Sequence, residues 1–201
     1  MALDPATQAV INRALGAIQN RAFAPYVDQT RLTKLAPQLS GRELERVFRV
    51  PNNFLIPYAA AHPGQKNNAR AAQNVSAMTN ADSQNPDERM IYFKENPPKF
   101  GTVVHELFHW LSHRDFYTGF HMGSEGPNVG TVDEGITEFL TRKITAEDRT
   151  QHYQAEYLEV RQLCSDRSVE ERVLQTYFKG GGRNIGWLKD HVRNSRRRGI
   201  R

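Results

Sequence analysis

The chain has 201 residues, of which 38% are hydrophobic and 24% are charged, so it carries enough apolar side chains for a folded core. No run approaches the roughly 18 apolar residues of a membrane-spanning helix, and the first residues lack the basic and apolar regions of a secretory signal. The single cysteine, Cys164, excludes an intramolecular disulfide. We expect a protein made in a reducing cytoplasm, which a specialised secretion system could still export.

The positive charge of the chain is concentrated at its C-terminus. Lys and Arg number 27 against 22 Asp and Glu, a net charge of +5. Residues Arg193–Arg201 hold five arginines and no acid, so the rest of the chain is neutral. Because a nucleic-acid-binding fold usually spreads basic residues over a surface, we interpret this basic tail as a solvated end. Contact with nucleic acid or with an acidic partner is the less favoured alternative.

The N-terminal part predicts a helix followed by an arm. Residues 5–21 show a helical stripe of apolar residues, with Asp4 as the capping residue and a proline suited to the first position. Residues 24–38 contain two prolines and no clear period, which favours a boundary or a docking arm. We therefore divide the chain into an N-terminal helix and arm over 1–40, a principal domain over 41–192 and the basic tail over 193–201.

The middle of the chain predicts little regular structure before residue 89. Ser40–Glu43 has a capping-box pattern that opens a short helix to about residue 49. Asn53–Tyr58 is typical of a short strand that its proline limits to a sheet edge. Residues 61–87 are polar and aperiodic, which favours a long functional or mobile loop. Arg89–Lys94 is the strongest strand prediction, because it is short, apolar and followed by prolines.

The C-terminal half predicts helices, since apolar residues recur there at helical spacing and capping patterns mark the ends. Together with the earlier strands, this pattern predicts an α+β fold, in which a small sheet precedes a mainly helical half. The predicted helices span 99–113, 131–143, 150–164, a fourth segment from a capping box at Ser168–Glu171 to just before Gly180, and 185–192, with a glycine-rich loop over 114–130.

One motif carries chemistry. The run His105-Glu106-Leu107-Phe108-His109 places two histidines one turn apart on the same face of a predicted helix, where they can share one metal ion. Neutral imidazole is a good zinc ligand. Glu106 flanks the metal and can take a proton from a water that the metal activates. The motif therefore predicts a zinc-dependent hydrolase, and the alternative is a helix with two unrelated histidines.

A catalytic zinc site needs a third protein ligand and an open position. His113 lies one turn beyond His109, about 6 Å further along the helix axis, and would reach the same ion only with difficulty. Asp115 stands where the longer metzincin motif has its third histidine, which argues against that arrangement. The downstream candidates are His113, His121, Glu125, Asp133, Glu134 and Glu138.

The run Val132–Phe139 resembles the gluzincins, the thermolysin-like zincins in which a second helix supplies a glutamate ligand. The resemblance covers about residues 90–143 and implies a zincin-like fold, with a short twisted sheet packed on the motif helix, and peptidase activity on protein or peptide substrates. Without this resemblance, the position of Glu134 is typical of an acid that caps a helix, and that of Glu138 is typical of a helix acid exposed to solvent. The resemblance assigns His105, His109 and Glu134 as zinc ligands, Glu106 as general base, and Asp133 and Glu138 as residues that support the ligands.

Two tyrosines are candidates for stabilising the oxyanion of the reaction. Gluzincins use a Tyr or His beyond the third ligand, and Tyr153 and Tyr157 share one face of the helix predicted at 150–164. The alternative for either is a core tyrosine with its hydroxyl at the surface. Tyr153 and the run Tyr177–Gly180 are also similar to small bacterial zincin domains of toxins and secreted effectors. A further candidate role for residues 90–94 is an edge strand that pairs with an extended peptide, and the alternative is an ordinary strand of the sheet.

Two other functional classes remain open from the sequence. A DNA-associated zincin protease would bind nucleic acid through the basic tail, with a strong salt dependence. A non-enzymatic binding domain would use zinc only to stabilise the fold, with a fourth ligand such as His113 or His121 closing the site. The motif favours a zinc endopeptidase, for which a secretion machinery or an inhibitor protein are further candidate partners.

Overall fold

The computed structural model describes residues 3–19, 21, 23–28, 30–31, 44–62, 67–81, 89–121, 130–145, 149 and 153–197. The chain divides into two compact units, residues 1–20 with 33–110 and residues 21–32 with 111–201. In the described ranges the first unit combines helices with a three-stranded sheet and the second is helical, which confirms the α+β class. Of the helices in these ranges, none has the length and apolar character needed to cross a bilayer.

Helix α1 of the first unit spans Pro5–Gln19 and confirms the N-terminal helix. Asp4 caps it, because its Oδ1 accepts hydrogen bonds from the backbone N–H groups of the second and third helical residues at 2.9 and 3.1 Å. The apolar stripe of the helix is fully buried at Ile11, Leu15 and Ile18. The amphipathic pattern in the sequence therefore corresponds to the face that packs into the core.

The sheet of the first unit contains β1 (Phe48–Arg49), β2 (Ala77–Ala81) and β3 (Arg89–Phe93) in the order β1-β3-β2. Strand β3 runs parallel to β1 and antiparallel to β2, with Thr79 opposite Ile91. The strand prediction for residues 89–94 is confirmed. The expectation that this strand forms an edge is wrong, because β1 and β2 pair with its two sides.

Two short helices occupy a region in which we expected a strand and a loop. Helix α2 (Leu55–Ala61) stands where residues 53–58 predicted a strand. Its third residue is Pro57, and in the first turn a missing N–H costs no intrahelical hydrogen bond. Helix α3 (Asn68–Gln73) and β2 lie within the predicted loop over 61–87. The start of the helix expected from Ser40 lies outside the described residues, and its predicted end at residue 49 is wrong, since β1 occupies residues 48–49.

Helix α4, Phe100–Leu111, confirms the helix that carries the metal-binding motif. Its side chains at Val104, Leu107 and Phe108 are fully buried. A helix that is apolar on nearly all sides lies inside a core, so the polar residues that it carries are enclosed with it. The motif is thus presented from a rigid, buried element.

All the regular secondary structure described in the second unit is helical. A short helix α5 (Arg114–Phe116) continues into a π-helical turn (Tyr117–His121), so the start of the predicted loop over 114–130 is helical instead. The longer helices confirm the predicted ones with shifted ends and are α6 (Gly130–Ile144), α7 (Gln154–Leu163), α8 (Arg167–Lys179) and α9 (Gly182–Arg197).

The cap of α8 differs from the prediction. The predicted cap at Ser168 is wrong, because the Oδ1 of Asp166 accepts hydrogen bonds from the N–H groups that begin the helix.

Helices α6 and α7 approach each other closely at Gly135. A Cβ at this position would lie 2.7 Å from the carbonyl oxygen of Glu156 and 2.8 Å from Cγ2 of Val160. Only glycine, which has no Cβ, permits this distance between the helices. The close contact lies one residue along α6 from Glu134, so it fixes the backbone that carries a predicted ligand.

Candidate metal centre

His105 and His109 lie one turn apart on α4, and each directs its Nε2 atom toward the other's. Their Nε2 atoms are 3.2 Å apart, and the rings meet edge to face. Both side chains are buried, with 5% and 3% of their surface exposed. Two zinc ligands at about 2.05 Å in a tetrahedral site are about 3.3 Å apart, so the spacing of these two nitrogens fits a shared ion.

Glu134 on α6 completes a candidate ligand set with the two histidines. One ligand atom from each of His105, His109 and Glu134 lies within 4.8 Å of the others, and the group is mostly buried. Two imidazoles and one carboxylate could therefore hold a metal ion here. Among the residues that the structure describes, this is the set of metal-ligating side chains that converges in this way.

Glu106 lies beside the first histidine and is also buried. Its Oε2 accepts a hydrogen bond of 2.7 Å from the hydroxyl of Thr79 on β2, which also lies 3.1 Å from the main-chain oxygen of Glu106. The sequence did not point to Thr79, because it falls in the segment predicted as a loop. Residues 77–81 show no alternation of apolar and polar side chains, so the sequence carries no strand signal that would have found it.

Arg89, the first residue of β3, contacts the C-terminal end of α4. Its buried guanidinium donates through Nη1 to the main-chain oxygens of His109 at 2.6 Å and Trp110 at 3.3 Å. The indole N–H of Trp110 donates in return to the main-chain oxygen of Arg89 at 3.0 Å. A cation at this end of a helix satisfies its last carbonyl groups and opposes the negative end of the helix dipole. Arg89 therefore anchors the turn that carries the second histidine.

The two acids that the resemblance assigned to a supporting role are both fully buried on α6. Asp133 precedes the candidate ligand Glu134, and Glu138 follows it by one turn. Glu138 accepts hydrogen bonds from Arg142 at 2.8 Å and from Nη2 of Arg149 at 2.9 Å. The alternative that Glu138 is a solvated helix acid is therefore wrong. Burial of this carboxylate is compensated by two guanidinium groups, as a buried charge requires.

The two candidate tyrosines have different environments. Tyr153 precedes α7, has a positive φ of 46°, and exposes 43% of its surface. The ring of Tyr157 lies within α7 under the guanidinium of Arg142, 3.9 Å from it, and is half-buried. Tyr157 therefore makes a cation–π contact within α7, whereas Tyr153 is exposed and precedes the helix on which we expected both tyrosines.

The other candidate ligands lie elsewhere or outside the described residues. His113 caps α5, since its Nδ1 accepts the N–H of Asp115 at 3.1 Å, and its ring packs against Gly180. The side chain of His121 and the whole of Glu125 lie outside the described residues. Within the described part of the chain, the candidate ligand set thus has three members.

Comparisons with protein-family models, with curated proteins and with solved structures found no match. Because a fold alone does not determine a function, the chemistry of the site carries the functional argument. That site consists of a buried two-histidine, one-glutamate group and a buried carboxylate beside it.

Proposed function

We propose that the chain is a zinc-dependent endopeptidase of the gluzincin type. The single observation that carries the proposal is the 3.2 Å separation of the Nε2 atoms of His105 and His109, in one group with Glu134. A set of two histidines and one glutamate is typical of catalytic zinc sites, in which the fourth position stays open. Among the described residues the set has three members, which is the number that a catalytic zinc site uses, whereas a purely structural site is usually closed by four.

Zinc bound at these residues would polarise the scissile carbonyl and activate a water for attack on it. Glu106 would remove a proton from the attacking water and return it to the leaving amine. Its buried position next to His105 keeps bulk water away from that proton. His105, His109 and Glu134 would fix the ion, and Asp133 and Glu138 would support the ligands from α6.

The sheet offers one place for an extended substrate. Strand β2 lies at the edge of the described sheet and carries Thr79 beside Glu106. An edge strand binds a peptide through main-chain hydrogen bonds, whatever the side chains of that peptide. We therefore propose β2 as the strand that aligns the substrate. Tyr153, which is exposed, remains our candidate for stabilising the oxyanion, with Tyr157 second.

The similarity of Tyr153 and Tyr177–Gly180 to bacterial zincin domains of toxins and effectors suggests the setting of this activity. We propose that the substrate is a protein of another cell or compartment, which the enzyme reaches through a specialised secretion system. An endopeptidase with a buried metal group needs a substrate in extended form, as the edge of a sheet provides.

The test of the proposed function is the variant Glu106→Gln. We expect it to keep the wild-type zinc content, because Glu106 is not a ligand, and to lose hydrolysis by about 10²–10⁴-fold, because an amide is no base at neutral pH. Zinc is measured by elemental mass spectrometry, and hydrolysis with unfolded casein and a quenched fluorescent peptide library.

The matched control is Glu95→Gln, the same change at an exposed position between β3 and α4. It should retain both zinc and activity. Wild-type turnover in Glu106→Gln, or a zinc-loaded wild type that cleaves none of the peptides, would refute the endopeptidase proposal.

A further inference from the structure

Thr79 reaches the carboxylate of Glu106 from the middle of β2. Its Oγ1 lies 2.7 Å from Oε2 of Glu106, and both side chains are more than nine-tenths buried. Of the described residues, Thr79 is the side chain that donates a hydrogen bond to this carboxylate. The contact joins the sheet to the helix that carries the metal-binding motif.

The direction of this hydrogen bond follows from the chemistry of the two groups. An ionised carboxylate accepts only, so the threonine hydroxyl donates its one proton. The main-chain oxygen of Glu106, at 3.1 Å, is the more distant acceptor, and a charged acceptor makes the stronger bond. The proton of Thr79 is therefore directed to Oε2, which restrains the position of that carboxylate oxygen.

We propose that Thr79 is a positioning residue for Glu106, an inference that rests on the proposed endopeptidase function. A glutamate side chain has three rotatable torsions, and a general base works only when its oxygen lies within hydrogen-bond distance of the proton that it removes. The bond from Thr79 removes rotamers of Glu106 that would point away from the attacking water. β2 then has two roles, since the strand that aligns the substrate also orients the base.

A purely structural role for Thr79 makes a different prediction. A hydroxyl that only satisfies a buried carboxylate would contribute to stability, and its loss would leave the turnover of the folded, zinc-loaded protein unchanged. A positioning role changes kcat while leaving KM and the zinc content as they are, because neither substrate binding nor metal binding uses the bond.

The experiment compares Thr79→Val, which keeps the shape and removes the hydroxyl, with Thr79→Ser, which restores it. We expect Thr79→Val to lower kcat by about 10–100-fold at unchanged KM and zinc content, and Thr79→Ser to recover most of the loss. Thr118→Val is the matched control, because it removes a hydroxyl that bonds the carbonyl oxygen of Arg114 within α5 and its extension. Wild-type kcat in Thr79→Val, or equal loss in Thr79→Ser, would overturn the inference.

A second readout does not use activity. In the zinc-free protein, the urea midpoints of Thr79→Val, Glu106→Ala and the double variant form a double-mutant cycle. We expect the two changes to be non-additive, whereas additive midpoints would overturn the inference. If the wild type hydrolyses no peptide, the proposed function fails and the positioning role fails with it. If the wild type is active and Thr79→Val is equally active, only the inference about Thr79 fails.

Discussion

Three side chains on one turn of α4 and a threonine on β2 give the site its chemical character. His105, Glu106 and His109 are all buried, and burial makes their interactions with a cation and with each other stronger than at a surface. The same burial makes an unpaired charge expensive. Accordingly, Glu106 has the hydroxyl of Thr79 as its partner, and Glu138 has the guanidinium groups of Arg142 and Arg149.

Burial has a different effect on Cys164 at the end of α7, because there it makes the side chain less reactive. Loss of solvent raises the pKa of its thiol to about 12, and the carboxylate of Glu170 adds to the rise. The thiolate is the reactive form of cysteine, so the folded protein should hold this thiol neutral and inert. We predict negligible reaction with Ellman's reagent at pH 8 in the native state and one reactive thiol per chain in urea. Rapid labelling of the native protein would contradict the burial of Cys164.

At the scale of elements, α4 depends on contacts at its C-terminal end and α6 on its contact with α7. Arg89 and Trp110 exchange hydrogen bonds that anchor the end of α4. Gly135 lets α7 approach the backbone of α6 beside Glu134. The positions of the candidate ligands thus depend on residues that do not themselves bind metal.

Gly135→Ala tests the contact between α6 and α7. The added methyl would lie 2.7 Å from the carbonyl oxygen of Glu156, a distance that main-chain atoms cannot easily relieve. We expect a loss of stability of about 1–3 kcal/mol, despite the higher helix propensity of alanine, and weaker zinc binding because the backbone of Glu134 shifts. Urea unfolding and zinc titration measure the two effects. Gly186→Ala is the control, since a Cβ there contacts nothing within 4 Å; a stabilised Gly135→Ala would contradict the close approach.

Asp166→Ala tests the cap of α8 through its pH dependence. The hydroxyl and the backbone N–H of Ser168, with the N–H of Val169, hold the pKa of Asp166 below its ordinary value of 3.8. A lowered pKa means that the stabilisation is complete above pH 3.8 and is lost as the pH falls through the lower value of the folded state. We predict that Asp166→Ala lowers the urea midpoint at pH 7 and that the difference shrinks in acid. The control is Asp190→Ala. A difference in urea midpoint between Asp166→Ala and the wild type that does not depend on pH, or one as small as that of Asp190→Ala, would exclude the cap.

Long periodic elements were predictable from the sequence, and short ones were not. In α1, α4 and α6 the apolar side chains that pack into the core recur with the helical period over several turns, and this recurrence is visible in the sequence. α2 and α3 have at most two turns, and β2 is polar enough at Thr79 and Asn80 to resemble a loop. The histidine motif was predictable because both histidines lie on one helix. Thr79 and Arg89 were not, because their roles depend on strand pairing that one sequence does not reveal.

At the scale of the whole molecule, the net positive charge belongs to the C-terminal residues. The structure places Arg193, Arg196 and Arg197 in α9, so the helix predicted to end at residue 192 continues into the basic tail. Arg196 pairs with Glu159 on α7 at 2.6 Å, and Arg193 lies 3.6 Å from Asp190. Part of the charge of the basic tail is therefore paired with acids of the fold.

Metal binding should also affect the stability of the whole chain. An ion that binds the folded protein and not the unfolded chain stabilises it by about 2.7 kcal/mol when its concentration exceeds Kd by about 100-fold. We predict that a strong chelator lowers the thermal midpoint, that added zinc restores it, and that magnesium does not, because the nitrogen ligands of His105 and His109 suit zinc. A midpoint that is the same with chelator and with zinc would show that the folded state gains nothing from the ion.

The most direct test of the central claim is the zinc content of the purified protein, measured by elemental mass spectrometry after loosely bound metal is removed. The wild type and Glu134→Ala are compared with Glu171→Ala, a control at an exposed acid on α8. We expect about one zinc per chain in the wild type and in Glu171→Ala, and a clear loss in Glu134→Ala. A well-folded wild type without zinc, or a Glu134→Ala variant that keeps it, would contradict the metal centre of His105, His109 and Glu134.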